Sequence, residues 1–291
     1  MAASAAIVTA WDPPDGQLLS GLLGSIAEIG VGGRAVRVLV PDEATARVAR
    51  LLRPALALET VVVGGGADEF PGRLAETLPL LPQIVHGFDR YLWIAPALWL
   101  AAADAIEPYD LGVDRGALAG AYEIDRGYRI YASTRSPLRS YRAGYLRLFG
   151  EQAATRMYCR PMVNTGMIAL GADAPHWAAW RDAYGGLDRD ARAWSDGHLN
   201  PSQLALNFAI VRDRLPVAAL PAPWNWLCHW ERPLWDGARL VEPQPPHAAI
   251  RVVHLSGQAR ERDMTIDGRD GAHYRSRLRF PLAVAPAAAA A

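Results

Sequence analysis

Four short apolar runs, separated by stretches of helical period and closed by turn signals, occupy the first hundred residues. Ala6-Ile7-Val8-Thr9-Ala10 is the first, and it stops at Trp11-Asp12-Pro13-Pro14-Asp15-Gly16, a strong turn. Leu18, Leu19, Leu22, Leu23 and Ile26 then recur at helical spacing. Arg34 to Val40 predicts a second strand, ended by Pro41-Asp42. Asp42 is a good N-cap for a helix whose expected apolar face holds Val48, Leu51 and Leu52. Glu59 to Val63 predicts a third strand, Leu74 to Val85 a helical stretch strained by Pro79 and Pro82, and Arg90 to Ile94 a fourth strand. Strands that alternate with helices need crossover connections, which make neighbouring strands parallel. Ligands on such sheets bind beyond the carboxyl ends of the strands.

The triple glycine Gly64-Gly65-Gly66 after the third strand invites a dinucleotide reading, which fails on spacing. Counting from Gly64, the sixth position, where a Rossmann fingerprint needs Gly, is Glu69. No helix starts cleanly there by sequence, and a flexible turn is expected instead.

The second half is less regular. Residues 122–160 are rich in Arg and Tyr with few clear periods. Met162 to Leu170 predicts a buried strand, and Pro175 to Tyr184 a helix with Trp177, Trp180 and Tyr184 on one side. Asn200-Pro201-Ser202-Gln203 predicts a helix start, with Asn as N-cap, Pro at the first helical position and Gln at the third. The buried stripe of that helix is expected at Leu204, Phe208, Val211 and Leu215. Ile250 to Leu255 predicts a last strand before Gly257. No repeat or long linker divides the chain. One continuous domain over residues 1–282 is expected, with a nucleotide-binding half (1–100), an acceptor or catalytic half (101–282) and a disordered Ala-rich tail (283–291).

Composition narrows the function classes. Of 291 residues, 51% are hydrophobic and 21% charged, which excludes widespread disorder. Thirty basic residues balance thirty acidic ones, so no whole-chain attraction to nucleic acid is expected. Every basic residue is Arg, which removes Schiff-base chemistry by Lys. Cys159 and Cys228 stand far apart and form no CxxC pair, so neither a Cys-based zinc site nor a disulfide framework is supported. The first residues lack a basic n-region. The longest apolar stretch, Tyr91 to Ala103, is short and interrupted by Pro96, so no membrane span is expected. A cytoplasmic location is the expectation.

Several segments carry a resemblance. Phe88 to Trp99 is a hydrophobic strand followed by a short loop and then Leu98-Trp99. It resembles the core strand of GT-A glycosyltransferases, especially family 8 and its bacterial relatives. In those proteins the strand ends in Asp-x-Asp; here Ala95-Pro96-Ala97 stands in its place. Val163 to Leu170 with Asn164 and Gly166, Gln203 to Asn207, Leu220 to Asn225, and His254-Leu255-Ser256-Gly257-Gln258-Ala259-Arg260 resemble further family segments, in the family's order. The last resembles HxxGxxK, with Arg260 for Lys. The strand ending Thr9-Ala10-Trp11-Asp12 resembles the one that holds the base and ribose.

The resemblance implies an α/β GT-A fold with a mixed central sheet, and retaining transfer of a hexose from a nucleotide-diphospho-sugar to a glycan or small-molecule acceptor. It implies catalytic roles for Gln203 and Asn164. Donor binding falls to Thr9, Ala10, Trp11, Asp12, Ala95, Ala97, Gly166, His254, Gly257 and Arg260. In the family the two aspartates and the His hold a divalent cation, usually Mn²⁺, on the diphosphate. Ala95 and Ala97 offer no ligand, so no metal is expected. Either Arg side chains replace the cation in a metal-independent or weak enzyme, or the protein is a degenerate relative that only binds a sugar nucleotide, glycan or protein.

Plainer readings stand beside these. Asn164 and Gly166 fit a turn at a strand edge, Gln203 fits a capping box reaching back to the Asn200 N–H, and His254 fits a satisfied core histidine. Arg126, Arg129, Arg135, Arg139, Arg142 and Arg147, interleaved with Tyr122, Tyr128, Tyr131, Tyr141 and Tyr145, fit a solvated amphipathic face or a phosphate-binding lip. Trp224, Trp226, Trp230 and Trp235 fit either a core or a sugar-stacking surface.

Overall fold

The computed structural model describes residues 4–11, 16–64, 66–128, 137–194, 199–257 and 263–287. Strand β1 (Ala5–Ala10), helix α1 (Gly16–Ile29), β2 (Ala35–Val40), α2 (Glu43–Leu52) and β3 (Leu58–Val62) follow the predicted alternation. The Asp42 carboxylate accepts from Thr45 N at 2.7 Å, so the predicted N-cap forms. The predicted face of α2 is corrected. Val48 and Leu51 are 48% and 75% exposed, whereas Ala46 and Ala49 are buried and Leu52, also expected on this face, packs partly buried against the core, because a short helix packed closely against the sheet leaves room mainly for small side chains there.

Helix α3 (Gly66–Thr77) begins at the last of the three glycines, where a flexible turn was expected. A 3-10 turn (Leu78–Leu80) and the short α4 (Leu81–Ile84) follow. Pro79 and Pro82 each sit in a first turn, where the missing N–H has no helical partner to lose. The single predicted stretch is therefore divided among the end of α3, the 3-10 turn and α4.

Next come β4 (Arg90–Ile94), β5 (Leu98–Leu100), α5 (Glu107–Asp114) and β6 (Leu118–Tyr122). Helix α6 (Pro137–Met157) fills the segment that lacked a clear period. Gly150, at φ 81° and ψ 178°, kinks it, and the kink shifts the apolar phase, which hides the helix from periodicity. Then follow β7 (Val163–Gly171), α7 (Pro175–Gly185), α8 (Arg189–Ala193), α9 (Pro201–Asp213) and β8 (Val217–Leu220). Short strands β9 (Trp226–Leu227), β10 (Leu234–Trp235), β11 (Leu240–Val241), β12 (Val252–His254), β13 (Met264–Asp267), β14 (His273–Ser276) and β15 (Ala285–Pro286) complete the described chain.

Seven strands form the main sheet in the order β3-β2-β1-β4-β7-β6-β8. The first four are mutually parallel, and β7 runs antiparallel to both its neighbours. Helices α1, α2 and α5 cover one face, around Leu22, Ile26 and Tyr109. Helices α6, α7 and α9 cover the other, around Tyr141, Trp180 and Leu204. A third core, around Trp99, Trp226 and Val253, lies under the small β5-β12-β9 sheet.

Of the tail expected to be disordered from residue 283, residues 283–287 are described and correct that expectation, and residues 288–291 lie outside the described residues. Ala285–Pro286 pairs with β14, and Ala287 N donates to His273 O at 2.8 Å. Backbone pairing orders an Ala-rich strand without help from its side chains, so composition gives no sign of it. Among the described residues no helix is long and apolar enough to cross a membrane.

Candidate active site

Strands β1 and β4 lie side by side and end at one edge, at Ala10 and Ile94. Because β7 runs the other way, its first residues sit at that edge: Met167 pairs with Ile94, and Ala95 N donates to Gly166 O at 2.7 Å. The loop at Ala97 accepts from Leu255 N at 2.9 Å, and His254 pairs with Leu98. The antiparallel run of β7 thus brings Ala95, Ala97, Asn164, Gly166 and His254 together across about 160 residues of sequence.

Gly166 is required by this approach. A Cβ there would fall 2.5 Å from His254 Cε1 and 2.7 Å from Asn164 Oδ1, closer than van der Waals contact allows.

The polar side chains at this edge form one buried network. Glu123 Oε1 accepts from Asn164 Nδ2 and from Gln203 Nε2, both at 2.8 Å, and Glu123 Oε2 accepts from the Tyr141 hydroxyl at 2.8 Å. Asn164 Oδ1 accepts from Gly166 N at 2.8 Å and from Asn225 Nδ2 at 3.0 Å. Asn225 Oδ1 lies 3.0 Å from His254 Nδ1. Gln203 Oε1 accepts from both Thr165 N and Thr165 Oγ1 at 2.9 Å. All these groups are at least nine-tenths buried, and a carboxylate at such depth is tolerable because donors surround it. Burial first, and the Glu123 charge second, raise the pKa of Tyr141, so its hydroxyl stays protonated and donates.

The Asn200 cap forms, with Oδ1 accepting from Gln203 N at 2.7 Å. The second half of the capping box does not. The Gln203 side chain turns to Thr165 and Glu123 instead of to the Asn200 N–H, because the buried donors and carboxylate bind it more strongly than an exposed N–H.

Thr9 and Ala10 end β1 at the same edge and are fully buried. By strand alternation Thr9 shares the face of Ile7, toward α1, whereas Gln203 comes from α9 on the opposite face. The Thr9 hydroxyl is buried with no hydrogen-bond partner among the described residues. Trp11 reaches over Gly16 at the start of α1, with no bond to the Glu123 network. Gly257 follows the strand of His254, with φ 59°. Asp12 and Arg260 lie outside the described residues, as do Arg129, Tyr131 and Arg135.

Two residues central to the network were not among the expected site residues. Glu123 follows an apolar strand and reads by sequence only as an acidic neighbour of the Arg cluster. Its burial depends on α6, which periodicity does not reveal. Asn225 falls in a segment already matched to the family, so the signal for it was present. The tryptophans pack on the cores: Trp226 is buried 4.9 Å from the Tyr128 ring, and the partly buried Trp230 lies tilted against His229 with ring centroids 4.6 Å apart.

The residues at this edge do not fit the divalent cation that the resemblance brings with it. Ala95 and Ala97 carry no side-chain ligand atom, and the engagement of His254 Nδ1 with Asn225 leaves at most one ring nitrogen of His254 as a donor there. Among the described residues no three His, Cys, Asp or Glu side chains are grouped so as to hold a metal ion.

No family model and no curated protein matches the chain. Solved structures do. The crystal structure of galactosyltransferase LgtC in complex with donor and acceptor sugar analogs is 14% identical, with a TM-score of 0.55 over 87% of this chain and 88% of that one. The apo structure of the bifunctional glycosyltransferase WbbM is 13% identical, with a TM-score of 0.52 over 88% of this chain and 46% of that one. The apo glycosyltransferase GlyE of Streptococcus pneumoniae is 11% identical, with a TM-score of 0.52 over 88% of this chain and 55% of that one. The chain thus has the mixed α/β fold of GT-A glycosyltransferases.

Proposed function

We propose that this protein binds a nucleotide-diphospho-sugar at the carboxyl edge of β1 and β4 and transfers its hexose to a hydroxyl acceptor without a bound cation. The observation that carries the reading is the buried Glu123–Asn164–Gln203–Asn225–His254 network at that edge. Burying polar groups costs free energy unless each is hydrogen-bonded, a demand that apolar side chains at the same edge would not make. The LgtC structure is of a complex with donor and acceptor sugar analogs, and a comparable pair of ligands is proposed here. Another solved structure is of an active-site Gln-to-Glu mutant of LgtC, and Gln203 is proposed as its counterpart.

In the proposed reaction the anomeric C–O bond to the diphosphate breaks as the acceptor oxygen forms its bond on the same face. The acceptor proton passes to the departing diphosphate, and the anomeric centre carries positive charge in between. The diphosphate needs positive partners. Arg260 is proposed to supply one, because a guanidinium grips two phosphate oxygens. Family 8 kinship, retention of configuration and a cytoplasmic setting belong to this same reading.

One observation favours the second reading, a sugar-nucleotide binder without transfer. Both lone pairs of Gln203 Oε1 are taken by Thr165, and its amide is engaged by Glu123. Such a side chain reaches a sugar only by giving up buried bonds. Incubation with a panel of radiolabelled UDP- and GDP-sugars separates the two. Release or transfer of label supports the enzyme; saturable binding without release supports the binder. Absence of both would remove the nucleotide-sugar reading.

A further inference from the structure

The chain is neutral overall but not locally. Between Arg126 and Arg160 it carries eight arginines and one acidic residue, Glu151. Helix α6 sorts this segment by face. Tyr141, Tyr145 and Leu148 are buried, whereas Arg139, Arg142, Leu146 and Arg147 are all exposed. At the helical repeat these four fall on one stripe, opposite the tyrosines. Arg142 pairs with Glu151 across the Gly150 kink, while Arg139 and Arg147 form no ion pair with a described carboxylate. Leu146, in the middle of the stripe, is 40% exposed.

We propose that this face of α6 docks on an anionic lipid bilayer. Arg139 and Arg147, with Arg142 shared with Glu151, set around an exposed leucine match an anionic headgroup layer over an apolar interior. Arg stems lie along the boundary with their charges at the phosphates, and the leucine enters between them. Single-stranded nucleic acid is the less suitable partner. It needs exposed rings on which bases stack, and Tyr141 and Tyr145 are 2% and 1% exposed. Phosphates also give Leu146 no apolar partner. The inner face of the same helix reaches the Glu123 network through the Tyr141 hydroxyl. Docking therefore sets the candidate site beside the membrane surface. The attachment is peripheral and reversible, because the apolar face of α6 is already spent on the core.

Each basic residue near an anionic surface multiplies affinity by about fivefold, and salt weakens the attraction. The 291-residue chain is sedimented with mixed phosphatidylglycerol–phosphatidylcholine vesicles and with phosphatidylcholine vesicles alone, at low and high salt and without nucleotide sugar. Binding is expected to the anionic vesicles only, and to fall at high salt. The double substitution Arg139→Gln with Arg147→Gln is expected to weaken it by about 25-fold. Leu146→Gln is expected to weaken it less, and Arg212→Gln, on α9, to leave it unchanged. Circular dichroism and thermal unfolding confirm that each variant is folded. Equal binding to both vesicle types, binding to neither, or a folded double variant that binds like the parent would overturn the proposal. So would tighter binding to a single-stranded oligonucleotide than to the anionic vesicles. No sugar nucleotide enters this experiment, so its failure leaves the transfer reading untouched, and the reverse holds too.

Discussion

Gln203 shows how much one side chain does here. Its backbone N–H is capped by Asn200, its side-chain oxygen Oε1 accepts from the Thr165 N–H and hydroxyl, and its side-chain Nε2 donates to Glu123. Gln203→Ala leaves the Thr165 N–H without its acceptor and Glu123 with one donor fewer. At about 1–3 kcal/mol for each unsatisfied buried group, it should destabilise more than Asn200→Ala, which loses a cap at about 0.5–2 kcal/mol. Urea unfolding of both variants measures the difference; equal losses would mean that the network contributes nothing beyond the cap. The catalytic role that the resemblance implies for Gln203 would put the loss on turnover, whereas its buried bonds put much of it on stability. His176 gives a pH dependence. Its Nε2 lies 2.9 Å from Pro216 O, its Nδ1 is buried without a partner among the described residues, and burial lowers its pKa from 6.5. The unfolded chain therefore takes up a proton at about 6.5 that the folded chain refuses until lower pH. Stability is full above that value and declines as pH falls below it. Unfolding free energies between pH 7 and 5 should slope downward in the parent protein and less steeply in His176→Asn. Parallel slopes would assign the dependence to other groups.

At the scale of the element, α6 and α2 departed from their sequence patterns for different reasons. Helix α2 announced its N-cap correctly, but its buried face is set by the closeness of the sheet, which favours Ala46 and Ala49 over Val48 and Leu51. Helix α6 was hidden because Gly150 interrupts its phase. The backbone there, at φ 81° and ψ 178°, belongs to a region that only glycine occupies without strain. Gly150→Ala should lower stability by about 1–3 kcal/mol, read as a fall in the unfolding midpoint. An unchanged midpoint would mean that α6 straightens without penalty. The position matters beyond α6, since the helix supplies Tyr141 to Glu123 from one face and three arginines to solvent from the other.

For the whole molecule, the testable consequence is how the diphosphate is neutralised. With Ala95 and Ala97 in the loop after β4 and no grouped metal ligands among the described residues, UDP or GDP affinity should be the same in EDTA and in Mn²⁺. Arg260→Ala should weaken that affinity by about 1.5–3 kcal/mol, the range for a hydrogen bond to a charged group. Calorimetric titration reads both. Strict dependence on Mn²⁺ would show that ligands beyond the described residues complete a metal site, and an unaltered affinity in Arg260→Ala would move the phosphate contact elsewhere.

Local chemistry is what the sequence determined by itself. Strands β1 to β4, the caps at Asp42 and Asn200 and the Pro starts of α7 and α9 depend on neighbours a few residues away, so their signals lie within one window of the chain. The order of the family-like segments was legible in the same way, and with it Asn164, Gly166, Gln203 and His254. Only the tertiary structure decided that β7 runs antiparallel beside β4, which brings Gly166 to Ala95 and His254. It alone decided that Glu123 is buried at the centre of their bonds, and that Ala285–Pro286 is a strand. These outcomes depend on which distant segments become neighbours. That is settled by burial and backbone pairing over the whole molecule, and no short stretch of sequence carries it.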